Sequence, residues 1–312
     1  MTDLATAHDE LRPLMFSIAY RMLGSVAEAE DVVQDAFLNM HRSTLDGTVI
    51  ESVDAFAATV TTRLAIDALR SARHRREQYV GPWLPEPLVE SPESDPAWQL
   101  GMDETVSIAF LAVLERLSPT ERAVFLLREV FGYAYAEVAA IIGKSEENCR
   151  QLLSRARHSI HAARPRFEPS AEQRSKLATA FFSAVQGDDL EGLERLLADD
   201  VAFYGDGGGK APAIRTPMRG LTQVARFLLG LNRQADRAGI TVEPVQTNGQ
   251  PGARFLSRDG SLLGVMSLEI ADGRVRSLTN QINPDKLQHL GRVGDLAALM
   301  QQAGRRQEGA GR

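Results

Sequence analysis

The sequence predicts two small all-α domains, the second a helix-turn-helix, followed by an α+β domain. Three observations carry this. Apolar residues recur at helical spacing through most of residues 1–166, a proline-rich acidic stretch interrupts them at 77–104, and β-rich runs appear after residue 200. A length of 312 residues fits two or three domains, and 44% hydrophobic with 24% charged residues is a globular composition.

In the first domain (residues 1–76), Leu11, Leu14, Met15, Ile18, Ala19 and Met22 predict an amphipathic helix that Gly24 ends. Ala29, Val32, Val33, Ala36, Phe37 and Met40 form a second stripe, and a third helical pattern runs over residues 53–76. In DVVQDAF (residues 31–37) the valines face the core, so Asp31, Gln34 and Asp35 project from the opposite side. On the third helix Arg63, Asp67, Arg70 and His74 share one face, and Arg73, Arg75 and Arg76 extend the positive charge. Such a strip suits duplex phosphates.

Residues 77–104 contain no Lys or Arg, and prolines at 82, 85, 87, 92 and 96 forbid a continuous helix. The stretch reads as an extended acidic linker. Within it WLPEP, with Trp83, Leu84 and Pro85, exceeds what a spacer needs and suggests a docking point.

In the second helical domain (residues 105–167), Ser118-Pro-Thr-Glu121 is a capping box with proline at the first helical position. Further on, Ala139 allows close helix approach, Gly143 suits the turn and Ser145 caps the next helix. On that helix Cys149, Leu152, Leu153, Ala156 and Ile160 make the buried side, while Arg150, Ser154, Arg157 and His161 share the other. With Lys144 and Arg155 these are candidate major-groove and phosphate contacts; the plainer alternative is a surface helix of a bundle.

After a junction at residues 167–170 the third domain (168–291) opens with helices at about 173–186 and 188–198. A short strand at 201–204, a helix at about 221–237 and strand-like runs at 240–246, 253–256, 262–270 and 275–282 follow. Asp272-Gly273 marks a hairpin. DGGGK (Asp206, Gly207, Gly208, Gly209, Lys210) lacks phosphate-loop spacing and reads as a flexible turn or a docking loop. In NPDKL (Asn283, Pro284, Asp285, Lys286, Leu287) asparagine caps and proline starts a short helix. Residues 292–312 read as a C-terminal helix and, from Gly304, a disordered polar tail.

Several classes are disfavoured. The net charge of −6 argues against a protein that coats nucleic acid, although the arginines are clustered. The single cysteine, Cys149, excludes an internal disulfide framework and fits a reducing cytoplasm. The acidic start MTDLATAHDE has no apolar signal core, and no run of about 18 apolar residues exists, so neither export nor a membrane span is expected. The histidines show no paired metal-ligand spacing, so no metal and no cofactor are expected. No catalytic residue is assigned either. His289 lies beyond the last strand, and Asp206 and Asp259 sit in turn-like sequence.

AEAEDVVQDAFLNMHR resembles the polymerase-binding helix of sigma-70-family domain 2. FAATVTTRLAIDALRSARHR is similar to the helix that engages the −10 element, and LSPTERAVFLLREVFGYAYAEVAAIIGKSEENCRQLLSRAR resembles domain 4, which reads the −35 element. Two such domains alone look like the extracytoplasmic-function (ECF) group. The resemblance implies core RNA polymerase (its β′ clamp coiled coil and β flap) and promoter DNA as partners, with Asp31, Gln34 and Asp35 on the clamp. It also implies that the loop at residues 43–53 captures unstacked bases and that the linker threads the polymerase cleft. AFFSAVQGDDLEGLERLLADDVAFYGDGGGK resembles the cone-shaped SnoaL-like domains. A distinct ECF group, with mycobacterial members, carries this extension and shares the WLPEP, DGGGK and NPDKL motifs. There the domain is implied to contact domains 2 and 4 and to regulate in cis. A small-molecule ligand in the cone stays open.

Two further readings remain. A one-component regulator needs a ligand-sensing domain and tight operator binding by the free protein, and a SnoaL-type enzyme needs turnover. The DVVQD helix and the basic helix ahead of a second DNA-binding domain favour the sigma factor.

Overall fold

Ser25 and Ser52 each start a helix whose apolar stripe turns inward. Their hydroxyls accept from the amides of Glu28 and Ala55, both at 3.3 Å. These caps open α2 (Val26–Leu45) and α3 (Val53–Glu77), which pack with α1 (Leu4–Leu23). The structure is a computed structural model that describes residues 4–90, 106–161 and 170–310; for residues 4–7, 161 and 304–310 it describes the backbone alone. The second half of the linker (91–104) and part of the junction at 167–170 thus lie outside the described residues.

The chain divides into two units. The helical unit holds residues 1–78 and 110–164. Its three-helix part buries Met15, Ile18, Met22, Val33, Met40 and Leu69. Full burial of side chains of this size contributes about 1.5–3 kcal/mol each. Its second part contains α4 (Ile108–Leu114) and α5 (Pro119–Phe125), which runs on as a π-helical turn (Leu126–Val130). Then come α6 (Tyr135–Ile142) and α7 (Glu146–His161). Ser118 and Glu121 form the reciprocal capping box. Gly143 takes φ +70°, left-handed backbone that glycine adopts without strain, and makes the tight turn between α6 and α7.

The second unit holds residues 79–90, 107–109, which include the first two residues of α4, and 165–312. Its helices are α8 (Ala171–Gln186), α9 (Leu190–Leu196), α10 (Leu221–Ala238) and α11 (Leu296–Ala310). The strands are β1 (Leu197–Asp206), β2 (Met218–Arg219), β3 (Thr241–Thr247), β4 (Gln250–Leu256), β5 (Leu262–Ala271) and β6 (Arg274–Gln281). They form one sheet in the order β2-β1-β6-β5-β4-β3, antiparallel except for the β1/β6 pair. One sheet face, with Phe203, Leu268 and Leu278, closes a core with Phe181, Leu193 and Leu228 of the helices. A second cluster joins Val265 and Leu262 to Leu287 and to Val89 of the linker.

Three sequence expectations are corrected. β1 is longer than the 201–204 strand, because its pairing with β6 starts at Leu197 and resumes after a register shift. Asp206 is therefore the last residue of a strand and wholly buried, not part of a turn. The tail from Gly304 is helical as far as Ala310, which fits the arginine, glutamine and glutamate there as helix formers.

Candidate functional site

The first candidate surface lies on α2. Asp31, Gln34 and Asp35 are exposed opposite the buried Val32, Val33 and Ala36. Leu38, one turn on, is 47% exposed and adds an apolar member that the charge pattern did not reveal. The last residue of α2, Leu45, and Val49 in the loop toward α3 are exposed as well.

The basic residues of α3 fall into two groups. Arg70 pairs with Asp67 at 2.7 Å and His74 lies 3.6 Å from Glu77, both largely in solvent, and the exposed Arg75 pairs with the partly covered Glu28. Exposed pairs of this kind are worth at most about 1 kcal/mol, so they leave these side chains available at low cost. Arg63, Arg73 and Arg76 are engaged within the unit instead. Arg63 donates to the carbonyls of Ala140 (3.0 Å) and Ile141 (2.9 Å), where α6 ends with unpaired carbonyls. Arg73 donates to the carbonyls of Glu115 and Leu117. Arg76 binds the Glu115 carboxylate at 2.7 Å and the Leu23 carbonyl. The expected continuous phosphate strip is thus split, and Arg63, Arg73 and Arg76 tie α3 to the second group of helices.

Arg122 completes this contact and was missed by sequence reasoning. It is wholly buried, donating to Met22 O (2.7 Å), Leu114 O (3.0 Å) and Glu115 (2.6 Å). Burial pulls its guanidinium down to about 10, with Glu115 opposing, so it stays charged at neutral pH. Glu115 is lowered despite its burial, because Arg122 and Arg76 face it. The only sequence signal was an arginine on the inner face of a capped helix.

On α7 the apolar face is buried as expected: Cys149, Leu152, Leu153, Ala156 and Ile160. Burial raises the Cys149 thiol above its ordinary value, consistent with a packing role. Lys144, Arg150, Ser154, Arg155 and Arg157 are exposed; the His161 side chain lies outside the described residues. Arg150 reaches Glu146 at 2.6 Å and lies over the Tyr135 ring, Arg155 reaches Glu121 at 3.0 Å, and Arg157 reaches Glu129 at 2.7 Å. These solvent-facing pairs leave the basic face of α7 available at low cost.

The second unit contains one dense polar site, and it is built around the linker. The linker residues 84–89 are all buried. Asp206 Oδ2 accepts from Leu84 N (2.8 Å), Lys286 Nζ (2.7 Å) and Gln281 Nε2 (3.2 Å). Its Oδ1 accepts from Tyr79 OH (2.5 Å) and Gly208 N (3.1 Å). Gln281 also reaches the carbonyls of Leu84 and Pro85, Lys286 the carbonyl of Leu84, and Asn283 the Tyr79 hydroxyl. Lys286 Nζ lies 4.1 Å from the centre of the Trp83 ring. Burial, then the hydrogen bond to Asp206, push the Tyr79 phenol far up, which fixes it as a donor. Trp83, Leu84, Asp206, Asn283 and Lys286 thus come together in one clamp, while Lys210 and Asp285 pair at its exposed rim. Gly208 has φ +57°, and a Cβ there would lie 2.2 Å from Asn283 Nδ2, so the loop needs glycine for both conformation and space.

Downstream, Leu88 and Asn248 exchange hydrogen bonds: Leu88 N to Asn248 Oδ1, and Asn248 N to Leu88 O, both 2.8 Å. Val89 then bridges Thr247. Asn248 lies in the β3–β4 hairpin turn with Gly249. This half of the clamp was missed, and Asn-Gly was the signal that could have found it. His289 Nε2 donates to Pro87 O (2.8 Å) beside the buried Glu86. Burial lowers its pKa, against the Pro87 carbonyl and Glu86. Its stabilisation of the docked linker is therefore complete above the free imidazole value of about 6.5 and is lost below it, as pH falls through the lowered value of the docked state. We expect the linker to become more protease-sensitive between about pH 7 and pH 5, and His289→Gln to flatten that dependence; an unchanged slope contradicts the assignment.

Region 2 of the sigma-70 family matches residues 8–75, and region 4 matches residues 107–160. Over 287 residues the chain is 37% identical to the ECF RNA polymerase sigma factor SigJ of Mycobacterium tuberculosis, covering 89% of this chain and 91% of that one. The chain belongs to the ECF RNA polymerase sigma factors. A second relative of this ECF sigma factor, the probable sigma factor SigI of M. tuberculosis, is 33% identical over 286 residues, 89% of this chain and 93% of that one. The crystal structure of M. tuberculosis SigJ superposes with a TM-score of 0.74 at 34% identity, covering 92% and 98% of the two chains. These relatives run through the α+β domain as well as the helical ones. Their names favour neither a free-standing regulator nor an enzyme. Among the described residues no helix is long and apolar enough to cross a membrane, and no group of three His, Cys, Asp or Glu residues is placed to hold a metal ion.

Proposed function

We propose that this ECF sigma factor binds the β′ clamp of core RNA polymerase through Asp31, Gln34, Asp35 and Leu38. In this reading α3 and the loop before it take the −10 element, α7 takes the −35 element and the β flap receives the second helical domain. The C-terminal domain governs this in cis by holding the linker. The observation that carries the regulatory part is the burial of residues 84–89 against Asp206, Gln281, Lys286 and Asn248.

Reading two separated promoter elements requires α3 and α7 to move apart. Arg63, Arg73, Arg76 and Arg122 oppose that, because each ties the two groups of helices together inside the helical unit. The linker joins the same two groups. Pinning residues 79–90 removes roughly 40 Å of extended chain from its reach. Release of the linker and opening of the arginine contacts therefore favour the same extended state, which polymerase and promoter stabilise by binding it. A linker free to enter the polymerase cleft is one the clamp has let go.

Assembly tests the polymerase contact. The double variant Asp31→Lys, Asp35→Lys places like charge against a partner surface that receives carboxylates, which costs several kcal/mol. Its affinity for core enzyme is expected to fall about a hundredfold in a competition assay, on the order of 3 kcal/mol. Assembly at the original affinity overturns the assignment.

A further inference from the structure

The α+β unit holds a partly open cavity of about 240 Å³ on the sheet face opposite the linker clamp. Its wall is apolar, formed by Phe181, Leu228, Phe255, Met266 and Ile282, and α11 closes one side with Leu296 and Met300. None of the residues that line it is charged. An engineered apolar cavity of about 150 Å³ already accepts benzene, so this volume suits roughly a one- to two-ring molecule.

Four uncharged polar side chains, Gln186, Asn232, Gln234 and Asn280, also line it. Asn280, on β6, lines the cavity, and its Oδ1 is shut off from solvent with no donor. A donor brought to a buried, unmatched carbonyl is worth about 1–3 kcal/mol, so a ligand hydroxyl is favoured at this point. Side chains alternate along a strand. Asn280 and Ile282 turn to the cavity, whereas Gln281 and Asn283 turn to Asp206, Leu84, Pro85 and Tyr79. Met266, directly across from Asn280, also lines the cavity, while Val265, across from Gln281, belongs to the cluster that holds Val89. Cavity and clamp are the two faces of the same few residues.

We infer that this cavity is a binding site for a small, neutral, largely apolar molecule bearing a hydroxyl, and that its occupancy is transmitted through β6 to the linker clamp. The inference gives the in-cis regulation proposed above a ligand, and its regulatory meaning rests on that reading. A hydroxyl matches the amide of Asn280, since it can donate to Oδ1 and accept from Nδ2. A charged ligand finds no counter-charge there and loses hydration on entry. Seating a ring against Asn280 and Ile282 displaces backbone that also carries Gln281 and Asn283, so clamp geometry follows cavity occupancy.

The matched probes 2-naphthol and naphthalene test this on the full-length chain by calorimetry. A second readout is the ¹⁹F resonance of 5-fluorotryptophan at position 83 in a Trp98→Phe background. We expect saturable 2-naphthol binding at one site, about tenfold tighter than naphthalene, with a shift of the Trp83 resonance that tracks saturation. Asn280→Leu should reduce the preference to below twofold. Ala235→Phe, which fills the cavity from α10, should abolish binding of both probes while the melting transition stays cooperative. Equal weak binding of both probes, or tight binding that leaves the Trp83 resonance unmoved, overturns the inference. If removal of the C-terminal domain leaves transcription unchanged while 2-naphthol still shifts Trp83, the regulatory reading fails and the cavity site stands.

Discussion

Replacing Asp206 with alanine is expected to free the linker and to destabilise the C-terminal unit by about 3–5 kcal/mol. The carboxylate receives five hydrogen-bond donors in a fully buried site, from Tyr79, Leu84, Gly208, Gln281 and Lys286. Its removal leaves the Lys286 ammonium buried without its counter-charge, and that ammonium is only 9% exposed. The aromatic faces of Trp83 and Tyr79 compensate in part, since each cation–π contact is worth about 0.5–2 kcal/mol. For a unit of this size the midpoint of thermal unfolding should drop by roughly 10 °C. Limited proteolysis should cut within residues 79–90, where the wild-type chain is protected. Asp285→Ala is the control. It breaks only the exposed Lys210 pair and should change stability by less than about 1 kcal/mol. Equal effects of the two substitutions contradict the clamp.

The second large effect is expected at Arg122. Arg122→Ala strands the carbonyls of Met22 and Leu114 and leaves Glu115 with Arg76 as its remaining cation. Truncating a buried ion pair from one side costs about 3–5 kcal/mol, here in the helical unit. Arg155→Ala, on the same group of helices but with its guanidinium 63% exposed, should cost less than about 1 kcal/mol. Denaturant unfolding followed by far-UV circular dichroism measures both. A loss of less than about 1 kcal/mol at Arg122 contradicts the view that it joins α5 to the end of α1.

Much of the fold was legible in the sequence because helix signals are local. Ser25, Ser52 and Ser118 sit where caps are needed, Gly143 where the turn needs positive φ, and the apolar stripes point inward. The exposed face of α2 follows from the same periodicity. The clamp was legible only in parts. WLPEP, DGGGK and NPDKL each stood out, yet nothing local shows that Leu84, Asp206 and Lys286 meet across some 80 to 202 positions of sequence. Asp206 looked like a turn residue because glycines follow it, but strand pairing with Gln281 decides its place. The arginines of α3 show the same limit. Helical periodicity puts Arg63 on a face with Arg70, but only the packing of α6 reveals that Arg63 is occupied by backbone carbonyls.

Transcription from a cognate promoter with purified core polymerase tests most directly whether the C-terminal domain controls the two helical ones. A chain ending after about residue 167 keeps the surfaces of α2, α3 and α7 and loses Asp206, Asn248, Gln281, Lys286 and His289, which hold the buried linker. It is expected to produce a different yield of run-off transcript from the full-length chain, from the same start site. Identical yields across a titration of sigma factor would contradict control in cis.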